Sequence, residues 1–110
     1  MPFVRVASLA EIPEGEMRAF DLATARVAVA HVEARLFAFG DECTHAGCAL
    51  SEGEFDDRAA TVECQCHGSV FDVETGEPLE GPAQDPVAIH QARLVDGWVE
   101  IADQPASIPG

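Results

Sequence analysis

Two six-residue stretches, Cys43-Thr44-His45-Ala46-Gly47-Cys48 and Cys64-Gln65-Cys66-His67-Gly68-Ser69, contain all four cysteines and two of the four histidines of the chain. Thiolate and neutral imidazole bind iron and zinc tightly near neutral pH, so this grouping points to one metal site assembled from two loops. Spacing narrows the metal. Covalent haem needs two residues between paired cysteines ahead of a His, and Cys64-Gln65-Cys66-His67 has only one, which excludes it. A structural zinc on two Cys and two His stays open, because a zinc tetrahedron accepts such a mixture. Two disulfides in a secreted scaffold are a further use of four cysteines. The first residues, Met1-Pro2-Phe3-Val4-Arg5-Val6, carry no cationic segment followed by an apolar run, so no signal peptide is expected.

A chain of 110 residues, 47% of them hydrophobic, is long enough for one core and short for two, so residues 1–110 are expected to form one domain. Phe3 to Ala7, Met17 to Leu22, Arg26 to His31 and Arg35 to Phe39 alternate or are rich in Val and Phe, and each ends at charged or turn residues. They read as short strands. Ser8 has Glu11 three residues later, but Pro13 and Gly15 limit that stretch to a loop or one turn. Periodicity stops at Gly40 to Gly53, as expected of a functional loop. Ala60 to Glu63 and Ser69 to Val73 resume as strands around the second Cys/His stretch, with a turn at Glu74-Thr75-Gly76-Glu77 and a loop at Glu80-Gly81-Pro82-Ala83. Val87 to Leu94 and Trp98 to Ile101 are predicted to form a hairpin about Val95-Asp96-Gly97, since Asp-Gly favours a tight hairpin turn. Residues 104–110 read as a tail. The fold class is all-β.

Each stretch offers one Cys and one His, Cys43 with His45 and Cys64 with His67. In this pattern, Cys-x-His followed at an interval by Cys-x-x-His, the chain resembles the Rieske family. Gly47, Leu50, Gly53, Gly68, Ser69, Phe71 and Gly76 stand where that family commonly has such residues, and Gly81-Pro82-Ala83 is similar to its proline loop. The resemblance is strongest from Phe37 to Ala83. It implies an antiparallel β-sandwich with a small cluster-binding subdomain, about residues 40–83, and one 2Fe-2S cluster per chain. Cys43 and Cys64 would hold the inner iron, and His45 and His67 the outer one. Exchanging two thiolates for neutral imidazoles removes negative charge, which eases reduction and raises the potential. In high-potential relatives the cysteines at the places of Cys48 and Cys66 form a disulfide; two free thiols in a reducing cytosol are the alternative. The resemblance also implies a hydroxyl bond from Ser69 to the cluster, with Phe71 where high-potential relatives have a Tyr.

The function implied is a one-electron carrier between a reductase and a terminal oxygenase, and not an enzyme itself. An oxygenase would need a second iron held by two His and a carboxylate, and only His31 and His90 are spare, both read as ordinary surface positions. Trp98 reads as core or rim packing. A soluble respiratory-type Rieske subunit and a non-redox zinc module are the alternatives. Six Arg and no Lys against twenty Asp and Glu give a net charge of −14, which disfavours nucleic acid and anionic membranes and favours a partner with a basic docking face. No run reaches the roughly 18 to 20 apolar residues that span a bilayer. A cytoplasmic monomer is expected.

Overall fold

The computed structural model describes residues 2–44 and 47–106. Among the described residues, eleven strands in antiparallel pairs make up three sheets. The first joins β1 (Phe3–Ser8), β11 (Trp98–Ala102) and β10 (Ala92–Val95), in that order. The second has the order β2 (Met17–Asp21), β3 (Arg26–Val32), β4 (Arg35–Gly40), β9 (Ile89–His90). A small third sheet runs in sequence order: β5 (Glu54–Asp56), β6 (Thr61–Glu63), β7 (Val70–Asp72) and β8 (Pro78–Glu80).

The second sheet is the middle layer, and β3 shows why. Val27, Ala28, Val29 and Ala30 are all fully buried, a continuous apolar run of the kind a strand needs when both its faces are covered. Val27 and Val29 pack with Ile12, Ala38, Val99 and Ile101 against the first sheet. Ala28 and Ala30 point the other way, where their small side chains leave room for Phe37, Phe39, Phe71, Leu50 and Val62 over the third sheet. Burying a ring such as Phe71 contributes about 1.5 to 3 kcal/mol. The all-β sandwich with a small appended subdomain is what the sequence led us to expect.

Several local readings need correction. The stretch Val87 to Leu94 is two strands in different sheets, since β9 pairs with β4 whereas β10 pairs with β11. β5 and β8 lie at the edges of the small sheet and fully bury no residue, so no apolar signal marks them in the sequence. His90 is not at the surface. It is 4% exposed and its Nδ1 lies 2.9 Å from the Ala102 carbonyl oxygen, which only accepts, so Nδ1 donates. Its strand faces the first sheet where alternation alone suggests solvent. His31 is half-buried, with Nδ1 2.8 Å from the Ile12 carbonyl oxygen.

Other readings hold. The Asp96-Gly97 turn joins β10 to β11 with both residues at positive φ. Ser8 N–H donates to the Glu11 carboxylate at 2.9 Å, beside one short 3-10 turn at Leu9–Glu11. Trp98 sits at the rim, 39% exposed, with Arg5 over its ring. In the expected tail, Ala106 N–H still donates to Ile89 O at 2.7 Å. Among the described residues no helix is long and apolar enough to cross a membrane.

Candidate metal centre

The two Cys/His stretches are closed by the same pair of backbone hydrogen bonds. In the first, Cys43 N–H donates to Cys48 O and Gly47 N–H to Cys43 O, both at 2.8 Å. In the second, Cys64 N–H donates to Ser69 O at 2.8 Å and Gly68 N–H to Cys64 O at 3.0 Å. The fifth residue of each turn lies in the left-handed region, Gly47 at φ 73° and Gly68 at φ 76°, which glycine enters without steric cost. The turn recurs at Asp72 to Glu77, where Asp72 N–H donates to Glu77 O at 2.9 Å and Gly76 N–H to Asp72 O at 2.7 Å. The β5–β6 connection, which leaves from Asp56 and returns at Thr61, likewise has its fifth residue, Ala60, in the left-handed region at φ 56°.

What differs is the first side chain. Asp72 Oδ1 accepts from Glu74 and Thr75 N–H at 2.7 and 3.2 Å, and Asp56 Oδ1 accepts from Arg58 and Ala59 N–H at 3.0 and 3.1 Å. A carboxylate thus closes the turn from within. Cysteine in the same place puts a thiol, a strong metal ligand once deprotonated, where the other turns carry a carboxylate. The β6–β7 turn carries Cys64 at one end of the small sheet, and the two Asp turns lie at the other.

Cys43 and Cys64 are 1% and 0% exposed, set among Leu50, Val62, Phe71 and Ala83. His67 is exposed. His45 lies outside the described residues. A disulfide joins Cys48 to Cys66 across the two turns, with Cα atoms 6.5 Å apart. The Cys48, Cys64 and Cys66 sulfurs all lie within 4.8 Å of one another, but two of them are bonded together, so the trio is not a set of three thiolates. Ser69 is fully buried and its Oγ accepts from Ala83 N–H at 3.0 Å, fastening the 81–83 loop, whose Gly81–Pro82 peptide is cis. Thr44 Oγ donates to Asp85 O at 2.6 Å on the other flank.

The stem of the first turn depends on a residue that the sequence reading did not single out. The Asp41 side chain is fully buried and accepts from Ser51 N–H at 2.6 Å, Ser51 Oγ at 2.7 Å and Arg26 Nε at 2.9 Å. Hydrogen bonds to Asp41 and then Asp21 hold the Arg26 guanidinium above its ordinary pKa. Outside the small sheet, Glu54, Glu63, Val70 and Glu80 form one cross-strand row, with the three carboxylates exposed.

Comparison with known proteins bears on this arrangement. Residues 2–91 match the Rieske [2Fe-2S] domain family. The 3-phenylpropionate/cinnamic acid dioxygenase ferredoxin subunit of Photorhabdus laumondii subsp. laumondii is 35% identical over 96 residues, 87% of this chain and 90% of that protein. The ferredoxin of carbazole 1,9a-dioxygenase from Nocardioides aromaticivorans IC177 superposes with a TM-score of 0.89 at 30% identity, covering 93% of this chain and 98% of that one. A solved complex of reduced oxygenase and oxidised ferredoxin in carbazole 1,9a-dioxygenase contains a chain with a TM-score of 0.89 at 29% identity, covering 96% of each.

Proposed function

Because this chain belongs to the Rieske 2Fe-2S family, we propose that it carries its cluster on Cys43, His45, Cys64 and His67 and passes electrons singly from a reductase to a terminal oxygenase. It is an electron-transfer component and not an enzyme in its own right. One cluster per chain supplies a site that takes up and releases one electron. The observation that carries the reading is the repeated turn that opens on a buried cysteine, with His67 exposed beside the second one.

The residues fit the group. Two buried thiolates suit the inner iron, and exposed imidazole suits an outer iron that must meet a partner. Leu50, Val62, Phe71 and Ala83 keep water from the thiolate side, and the Cys48–Cys66 bond holds the two turns against each other. The Ser69 hydroxyl accepts from Ala83 and so keeps its own hydrogen to donate, which we assign to a cluster sulfur or ligand thiolate. Such a bond favours the reduced form, which carries the additional negative charge.

The partners are proposed to dock through basic faces, and the protein to act as a monomer in the cytoplasm. The net charge of −14 and the Glu54, Glu63, Glu80 row support electrostatic steering.

The test is the absorption and EPR spectrum of the protein as purified and after dithionite, followed by stopped-flow transfer to an oxygenase at rising ionic strength. A Rieske spectrum and a rate that falls with salt are expected. Colourless protein with one zinc per chain overturns the cluster assignment, and a rate flat in salt overturns the basic docking face.

A further inference from the structure

We propose that Asp41 is a positioning residue for the metal centre: its carboxylate closes the base of the Cys43 turn and, paired with Arg26, fixes the charge two residues before that ligand. This rests on the reading that Cys43 is a cluster ligand.

Residues 41 and 51 flank the first turn, and one carboxylate ties them together. Three donors converge on it: the backbone N–H and hydroxyl of Ser51, and the Arg26 Nε–H. Asparagine offers a single acceptor oxygen and a donating amide, so it cannot receive all three. A charge with no exposed side-chain surface is tolerated only when it is bonded in this way. The stem is also anchored to the sandwich, because Asp41 N–H donates to Arg26 O at 3.0 Å and Arg26 leads β3. A shift of this carboxylate would carry Cys43, two residues on, with it.

The same group acts through its charge. Two ferric ions, two sulfides and two thiolates sum to zero, and reduction makes the cluster −1. A fixed carboxylate nearby opposes that added charge, whereas the guanidinium bonded to it favours it. Arg26 is half exposed and shared with Asp21 at 3.2 Å, so solvent screens it more than it does Asp41. The two residues should therefore move the potential in opposite directions, Asp41 the further.

Protein-film voltammetry of the holoprotein tests this. Asp41→Asn is expected to raise the midpoint, shifting the ratio of reduced to oxidised protein about tenfold at fixed potential, which is about 59 mV for one electron. Arg26→Gln should lower it by less. Ser51→Ala keeps both charges and should move it less than Asp41→Asn. A purely structural clasp would lower the melting temperature without splitting the two midpoints. An Asp41→Asn midpoint at or below the parent's, or an Arg26→Gln midpoint at or above it, overturns the proposal. If Asp41→Asn purifies without iron, Arg26→Gln decides by the same rule. A parent without a Rieske spectrum overturns the cluster reading instead, whereas variants with the parent's spectrum and midpoint overturn only the role of Asp41.

Discussion

The two ends of the small sheet use one backbone turn for opposite purposes. At the far end, Asp56 and Asp72 each turn one carboxylate oxygen, Oδ1, onto two of the turn's own N–H groups. At the near end the turn begins with Cys64, and a second copy beginning with Cys43 is bolted beside it by the Cys48–Cys66 bond. The scaffold supplies one shape at both ends, and the first side chain of each turn, carboxylate or thiol, sets what chemistry that end can offer.

The strongest way to break the comparison is to make the near turn a far one. Cys64→Asp should leave far-UV circular dichroism β-like while iron and sulfide fall to background; a variant with full iron content would show that the first side chain does not decide. Separating the paired turns comes next. Cys48→Ser with Cys66→Ser should cost about 3 kcal/mol in chemical denaturation, the chain-entropy value for a loop of about this size, and an unchanged midpoint of unfolding would mean that the turns hold each other without the bond.

Ser69→Ala probes the last residue of the near turn. The reduction midpoint should drop by about 40 to 65 mV, the value of one hydroxyl bond of roughly 1 to 1.5 kcal/mol, and a midpoint at or above the parent's would show that Ser69 serves only to fasten Ala83. At the far end Asp72→Ala removes two backbone acceptor contacts and should cost about 1 kcal/mol of stability with the visible spectrum unaltered; a spectral change would mean that the ends are coupled. The smallest effect asks whether the β5–β6 connection resembles the other three turns. Ala60→Gly relieves a left-handed alanine and should add about 0.5 to 1 kcal/mol to the free energy of unfolding, whereas destabilisation would mean that the β5–β6 turn is not of the same kind.

Chemistry was easier to read from the sequence than geometry. The Cys43, His45, Cys64, His67 pattern is visible because thiols and imidazoles are scarce and their spacing is local, and the Asp96-Gly97 hairpin because its turn needs residues that accept positive φ. β5 and β8 stayed hidden because they are the edge strands of the small sheet and fully bury no residue, whereas β6 and β7, equally short, bury Val62 and Phe71. His90 was misplaced for a reason of layering: alternation gives the side of a strand but not whether another sheet covers that side. Asp41 was missed because it is one of twenty acids, and only its burial and its three donors set it apart.

The middle position of β3 has a consequence for how the molecule opens. Val27 and Val29 belong to one core and Ala28 and Ala30 to the other, so neither core can come apart without disturbing the other's wall. The small sheet and the sandwich are thus joined into one cooperative unit. The amide hydrogens of β3 should be the slowest in the chain to exchange with deuterated water, protected until both cores loosen together.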